Sequence, residues 1–256
     1  MNREPVFEAV GLQKNFGGVA VADNITLALY AGDRVALIGP NGAGKTTFVN
    51  LVTGNVAPSA GKVRLAGKDV MAESPAMRVR RGLVRTFQLT RLFQRMTVAE
   101  HVALAILQRE GRTGRLVGNF RAMPNVLAEM REILATLDLS LVADRLVCEL
   151  GYGQQRLVEI ALALALKPKV LLLDEPTAGV PAGETARLES ALDQLPPDLA
   201  VLMIEHDIDL VFRFARRVVV LDAGAVIFDG QPGDAAASAQ VRRVYLGNFT
   251  DARHPA

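Results

Sequence analysis

The sequence predicts an α/β fold built on a parallel sheet, and three observations carry that prediction. Val35-Ala36-Leu37-Ile38 is an unbroken apolar run that leads into a glycine-rich loop, the pattern of a strand buried on both faces. Val170-Leu171-Leu172-Leu173 and Val201-Leu202-Met203-Ile204 are two more such runs, with a helix-length segment between them. Strand, helix and strand in that order imply parallel neighbours.

Along the chain, residues 6–38 read as strands. Ile25, Leu27 and Leu29 alternate with polar or small residues, as on a half-buried strand, and Gly32-Asp33 supplies a turn. Val63 and Leu65 followed by Gly67 predict a further strand at an edge, then a turn. Thr97-Val98-Ala99-Glu100 has the form of a capping box, and Val98, Val102, Ala105 and Ile106 then share one helical face. A second helix is expected from about Pro124, with Leu127, Met130, Ile133, Leu134 and Leu137 on its apolar side. A third runs from near Gly153 and stops before Pro168, because the residue ahead of a proline is driven out of helical conformation. Pro181 suits the first turn of a helix that ends at Pro196-Pro197. Residues 218–221 and 226–228 flank Ala223-Gly224 as a hairpin. Residues 109–121 mix Gly111, Gly114 and Gly118 with Arg109, Arg112, Arg115 and Arg121, and are expected to form a long loop.

Of the 256 residues, 50% are hydrophobic and 22% charged, with a net charge of +2. That apolar share offsets chain entropy and excludes a disordered chain. So balanced a charge leaves no footprint for nucleic acid. Cys148 is the sole cysteine, so no internal disulfide forms, and a reducing compartment fits. With only His101, His206 and His254, a structural Cys/His zinc site is not expected. No apolar run approaches about 18 residues, and Met1-Asn2-Arg3-Glu4-Pro5 carries no hydrophobic signal segment. These features predict a soluble, cytoplasmic protein.

The chemistry begins at Gly39-Pro40-Asn41-Gly42-Ala43-Gly44-Lys45-Thr46, followed by Thr47. This is G-x-x-x-x-G-K-T between a buried strand and an apolar helix start at Phe48, Leu51 and Val52. Glycines let backbone N–H groups converge on phosphate oxygens, and the new helix turns its positive end to the same anion. Lys45 is placed for the β- and γ-phosphates of a nucleotide and the Thr46 hydroxyl for Mg²⁺. Asp174 and Glu175 close the apolar run at 170–173, at the strand end that faces the ligand crevice of an α/β sheet. Asp174 suits the Mg²⁺ side, and Glu175 suits polarising a water for attack on the γ-phosphate. Ile204-Glu205-His206-Asp207 repeats that position on another strand, making His206 either a γ-phosphate contact or a residue at a helix start flanked by capping acids. Leu150-Gly151-Tyr152-Gly153-Gln154-Gln155-Arg156 is a second small-residue loop ahead of a helix, which is either a plain helix start or a second anion-binding device. One nucleotide does not need two, so the second would serve a partner's nucleotide.

In order and spacing these segments resemble the ATP-binding-cassette (ABC) family over nearly the whole chain. GPNGAGKTT is similar to its Walker A motif, VLLLDEP to its Walker B motif, and LGYGQQ to its LSGGQ signature. Gln88 matches the Q-loop glutamine, His206 the switch histidine, residues 179–184 the D-loop, and Phe16 the aromatic that stacks on adenine. RTFQLTRLFQRMTVAEHV, IEHDIDLVF, the tyrosine of LGYGQQR and the ending VRRVYLGN resemble the ATPase subunits of branched-chain amino acid importers, the larger of the paired two. Similar importers carry urea, aromatic acids or other amides.

The resemblance implies a cassette over residues 5–248, with a RecA-like parallel-sheet core, an antiparallel β subdomain, a helical subdomain at about 89–166 and a tail at 249–256. It implies ATP and Mg²⁺, with Thr46, Gln88 and Asp174 at the metal. It implies two cassettes that sandwich two nucleotides, each offering its signature loop (here Leu150, Gly151, Tyr152, Gly153 and Gln154) to the other's ATP. The implied partners are that second ATPase subunit, membrane permease subunits and, indirectly, a periplasmic solute-binding protein, at the cytoplasmic face of the inner membrane. Gly151 stands where the family usually has serine. Losing a hydroxyl bond to a charged group costs about 1–2 kcal/mol, so the site completed by Gly151 is expected to be the weaker one. Val180-Pro181 also departs from the usual D-loop pattern. The basic residues Arg78, Arg80, Arg81, Arg85, Arg91 and Arg95 read either as a face toward permease or anionic lipid or as a solvated face with structural ion pairs. A GTPase is disfavoured by the lack of an N-K-x-D motif, and a ribosome- or DNA-acting switch by the lack of a second cassette or long coiled-coil insert. Intact Lys45, Asp174, Glu175 and His206 argue against a non-catalytic module.

Overall fold

The computed structural model describes residues 4–86, 92–112 and 120–246. Two sheets enclose one helix. The first is antiparallel, with strands β1 (Phe7–Phe16), β2 (Val19–Leu29), β4 (Ala60–Leu65) and β5 (Lys68–Asp69) in the order β2-β1-β4-β5. The second has β3 (Arg34–Ile38), β6 (Leu83–Arg85), β7 (Val170–Asp174), β8 (Ala200–Ile204), β9 (Arg217–Asp222) and β10 (Ala225–Gly230) in the order β10-β9-β3-β8-β7-β6. Its neighbours are parallel except β9 and β10, which form the expected hairpin.

The apolar runs are explained by what lies on either face. Val170, Leu172, Ala200 and Leu202 pack toward the antiparallel sheet and α1 (Lys45–Thr53), with Phe7, Leu27 and Phe48. Leu171, Leu173, Val201 and Met203 pack on the other side against helices. Side chains alternate along a strand, so a strand between two cores must be apolar at every position. The other helices of six or more residues are α2 (Pro75–Arg80), α3 (Val98–Arg109), α4 (Pro124–Thr136), α5 (Tyr152–Ala165), α6 (Ala182–Asp193), α7 (Ile208–Phe214) and α8 (Pro232–Ala237).

The capping box forms as read. Thr97 Oγ1 accepts from the Glu100 N–H at 3.2 Å, and the Glu100 carboxylate accepts from the Thr97 N–H at 2.7 Å. Arg109 joins α3 to two other helices, donating to Glu129 on α4 and to the Ala165 carbonyl at the end of α5, 2.6 Å away. One expectation is corrected: the strand holding Val63 and Leu65 is not an edge, because β4 lies between β1 and β5. A two-residue strand with charged, exposed side chains carries no apolar alternation, so its pairing was invisible in the pattern. Within the loop expected at 109–121, α3 runs to Arg109 and a single 3₁₀ turn spans Phe120–Ala122; residues 113–119 lie outside the described ones.

Candidate nucleotide site

The glycine-rich loop is wedged between β2, the end of β9 and the 223–224 turn. Gly44 has φ +101°, and a Cβ there would lie 2.6 Å from the Val21 carbonyl, so the position requires glycine. A Cβ on Gly39 would collide with the Leu221 carbonyl. The Gly224 N–H donates to the Ala43 carbonyl at 3.0 Å, bracing the loop from the hairpin turn. No side chain caps α1. The first N–H groups of a helix have no acceptor within it, so these donors and the positive end of the helix dipole stand at the loop. Asn41, Gly42 and Thr46 are exposed, Pro40, Lys45 and Thr47 half-buried, Gly39 and Ala43 buried. This is a cradle that fits phosphate.

Lys45 Nζ donates to the carbonyls of Gly39 at 2.6 Å and Pro40 at 3.0 Å. Burial pushes its pKa below the usual lysine value, while the charges of Glu175 and Asp174 push it back up. Both acids therefore sit within electrostatic reach of the lysine. Asp174 is the last residue of β7 and is buried; its carboxylate accepts from Arg85 of β6 at 2.5 Å. Arg85 also donates to Asn50 Oδ1 of α1 at 3.0 Å. Glu175 leaves the strand at φ +47°, a left-handed conformation that costs a non-glycine residue about 1–3 kcal/mol. Its N–H donates to the Ile204 carbonyl at 2.9 Å. The bend turns the chain out of β7 at the sheet end where ligands of open α/β sheets lie.

The segment after β8 divides its three polar residues among three tasks. Glu205 is buried, at 1% exposure, and accepts from the Thr177 N–H and hydroxyl, the His206 N–H at 2.8 Å and the Asp207 N–H at 3.3 Å. It thereby ties the turn after Glu175 to the start of α7. Asp207 caps α7 by accepting from the Asp209 and Leu210 N–H groups. The His206 side chain is 66% exposed, its Nδ1 3.5 Å from the Glu205 carboxylate.

Phe16 is half exposed at the β1–β2 turn, with Lys14 Nζ 4.8 Å above its ring. Gln88 lies outside the described residues; nearby Thr86 donates its N–H to the Leu172 carbonyl at 2.9 Å, at the Asp174 end of β7. Among the described residues no group of three or more His, Cys, Asp or Glu is placed to hold a metal. The Thr46 hydroxyl and Asp174 carboxylate are hard oxygen donors of the kind Mg²⁺ takes one or two of, with water and phosphate for the rest. Three of the basic residues have internal partners. Arg78 is buried and donates to the Leu51 and Val52 carbonyls, Arg81 pairs with Glu73, and Arg85 pairs with Asp174.

The second loop stands apart in its partners. Leu150 is buried, Gly151 is the N-cap of α5, Gln154 is half-buried and the Tyr152 side chain packs beside Gly179. The Gly153 N–H donates to Glu184 of α6 at 2.7 Å. Sequence reasoning named Glu205 in the segment after β8 and Glu184 in the D-loop stretch without giving either a role, and it placed Arg85 only on a basic face. For Glu205 a signal existed: in a strand continuing past Ile204 its side chain points opposite to those of Ile204 and His206. Arg85 and Glu184 had none, since their partners lie 89 and 31 residues away.

The family model for ABC transporters matches residues 22–178. The chain is 37% identical to the high-affinity branched-chain amino acid transport ATP-binding protein BraF of Pseudomonas aeruginosa, over 95% of this chain and 98% of that one. It is 36% identical to the corresponding protein LivG of Escherichia coli K12, again over 95% and 98%. Among solved structures, the ADP conformation of MJ1267, an ATP-binding cassette of an ABC transporter, superposes with a TM-score of 0.81 at 29% identity, over 95% of this chain and 99% of that one. The wedged phosphate loop, the acids at the end of β7 and these likenesses lead to one conclusion: the chain belongs to the ABC transporter family, as an ATP-binding cassette.

Proposed function

We propose that this protein is the ATP-hydrolysing subunit of an importer for branched-chain amino acids. The observation that carries this is the uncapped start of α1 facing its phosphate loop, with Glu175 turned out of β7 at φ +47° within electrostatic reach of Lys45. The names of the BraF and LivG relatives supply the substrate class. Lys45 and the amides of 39–47 hold the phosphates, and Phe16 stacks on the base. Thr46, Asp174 and Gln88 would hold Mg²⁺, which when bound would neutralise developing phosphate charge. Glu175 takes a proton from the attacking water, and His206 steadies the γ-phosphate. Residues 150–154 face the ATP of a second cassette, so each nucleotide is enclosed by two subunits.

Among the described residues no helix is long and apolar enough to cross a membrane. In the importer reading the membrane step falls to permease subunits, with this chain peripheral at the cytoplasmic face and a periplasmic binding protein delivering solute. An apolar groove lined by Leu92, Phe93, Leu104, Leu162 and Leu166, with Phe93 63% exposed, supports permease docking on the helical side of β6. The test is Glu175→Gln in the complex purified with its permease and binding protein. ATP binding is expected to persist while turnover stimulated by a branched-chain amino acid falls about 100-fold or more. Turnover at the wild-type rate removes Glu175 from the role, and loss of binding as well removes the site.

A further inference from the structure

The start of α5 is already engaged by an anion of this chain's own. The Glu184 carboxylate lies against two signature-loop glycines: one oxygen accepts from the Gly153 N–H at 2.7 Å, and the other lies 2.9 Å from where a Cβ on Gly151 would stand. Gly151, the N-cap residue, has no side chain to cap the helix. Glu184 is half-buried in the first turn of α6, and among the described residues no lysine or arginine forms an ion pair with it. A carboxylate at a helix N-terminus is held by the free N–H groups and the dipole, the same features that would receive a phosphate. Two anions cannot share one N–H donor.

We infer that Glu184 occupies the γ-phosphate place on the signature loop, and that ATP held by the partner cassette must displace it before the two subunits close. This rests on the reading of 150–154 as the loop that meets a second cassette's nucleotide. The two glycines fit the arrangement. At Gly151 a serine would crowd the carboxylate, so glycine there makes room for an internal anion as well as removing a hydroxyl. The weakness expected of the site completed by Gly151 thus has a second source, an acid that competes with ATP. A hydrogen bond to a charged group favours the engaged form by about tenfold. Apparent affinity falls by the fraction of molecules in the competent form. The same segment runs back from Glu184 through Thr177 to Glu175.

The experiment measures the ATP concentration dependence of turnover in the assembled importer, with the thermal midpoint of each variant. Glu184→Ala is expected to lower KM for ATP about tenfold. Gly151→Ser, which pushes the carboxylate aside and also restores the hydroxyl, is expected to lower it further, and the double variant by no more than Gly151→Ser alone. If Glu184 only caps α5, Glu184→Ala lowers the thermal midpoint and leaves KM unchanged or raised, which overturns the proposal. Should Glu184→Ala fail to fold, Glu184→Gln keeps the shape without the charge, and an unchanged KM there overturns the proposal equally. Gln154→Ala separates this from failure of the loop reading. If it raises KM while Glu184→Ala does not lower it, the carboxylate's role alone is wrong. If neither variant moves KM, the loop does not meet nucleotide and both readings fall.

Discussion

Two helices of this protein, α1 and α5, begin after glycines and end under arginines, yet their N-termini are finished in opposite ways. At the C-terminal ends they match. Buried Arg78 donates to the Leu51 and Val52 carbonyls of α1, and Arg109 donates to the Ala165 carbonyl of α5, each satisfying carbonyls a helix end leaves unpaired. At the N-terminal ends, α1 has no side-chain cap and its loop is fixed by backbone on both flanks. At α5 a carboxylate from α6 closes on the first turn. The difference separates a rigid cradle, preorganised for its own nucleotide, from a loop whose donors are lent to an internal anion. Glycine does different work in each. At Gly39 and Gly44 the neighbour is unyielding main chain, whereas at Gly151 and Gly153 it is one flexible side chain.

The strongest test of that contrast is a methyl group added at each place. Gly39→Ala drives a Cβ into the Leu221 carbonyl and is expected to cost roughly 3–5 kcal/mol in urea unfolding and to abolish ATP binding. Gly151→Ala, meeting only Glu184, should stay within about 1 kcal/mol of the parent. Equal losses at the two positions would erase the distinction. Next in size is the shared C-terminal cap. Arg78→Met takes the guanidinium from the Val52 carbonyl and leaves the Leu51 carbonyl with only the Gly54 N–H, and is expected to cost about 1–3 kcal/mol, read as a lowered urea midpoint; no change would mean water replaces the guanidinium.

The smallest effect is at the far end of α5. The hydrogen bond from Arg109 holds the Glu129 carboxyl below the usual glutamate range. A folded-state value that is depressed contributes stability above the ordinary glutamate pKa and loses it as pH falls through the folded value. Glu129→Gln should therefore cost under about 1 kcal/mol at neutral pH, since the pair is partly solvated, and nothing once both states are protonated. A loss that persists undiminished in acid would show that charge pairing is not its source.

Much of the site was legible because its signals are local. The phosphate loop is specified by eight consecutive residues, 39–46, the capping box by Thr97 and Glu100, and the strands between two cores by unbroken apolar runs. The position of Glu175 at a strand end was readable; its left-handed backbone was not, because no glycine or asparagine marks it. The basic residues near 78–85 read as a face toward permease or lipid or as a solvated face with structural ion pairs; Arg81–Glu73 and Arg85–Asp174 are such pairs, while Arg78 turns inward to a helix end. A list of charges carries no information about which sheet neighbour lies beside it.

The sequence by itself determined that a glycine-lined phosphate loop joins a buried strand to a helix and that acids end the strand at 170–174, since both follow from backbone sterics and side-chain alternation over a few residues. Only the tertiary structure decided that β6 lies beside β7 and α6 beside the start of α5, and so that Arg85 meets Asp174 and Glu184 meets Gly153. Those pairings join residues far apart in the chain. They are set by the order of strands and the packing of helices around two cores, which no short window of sequence contains.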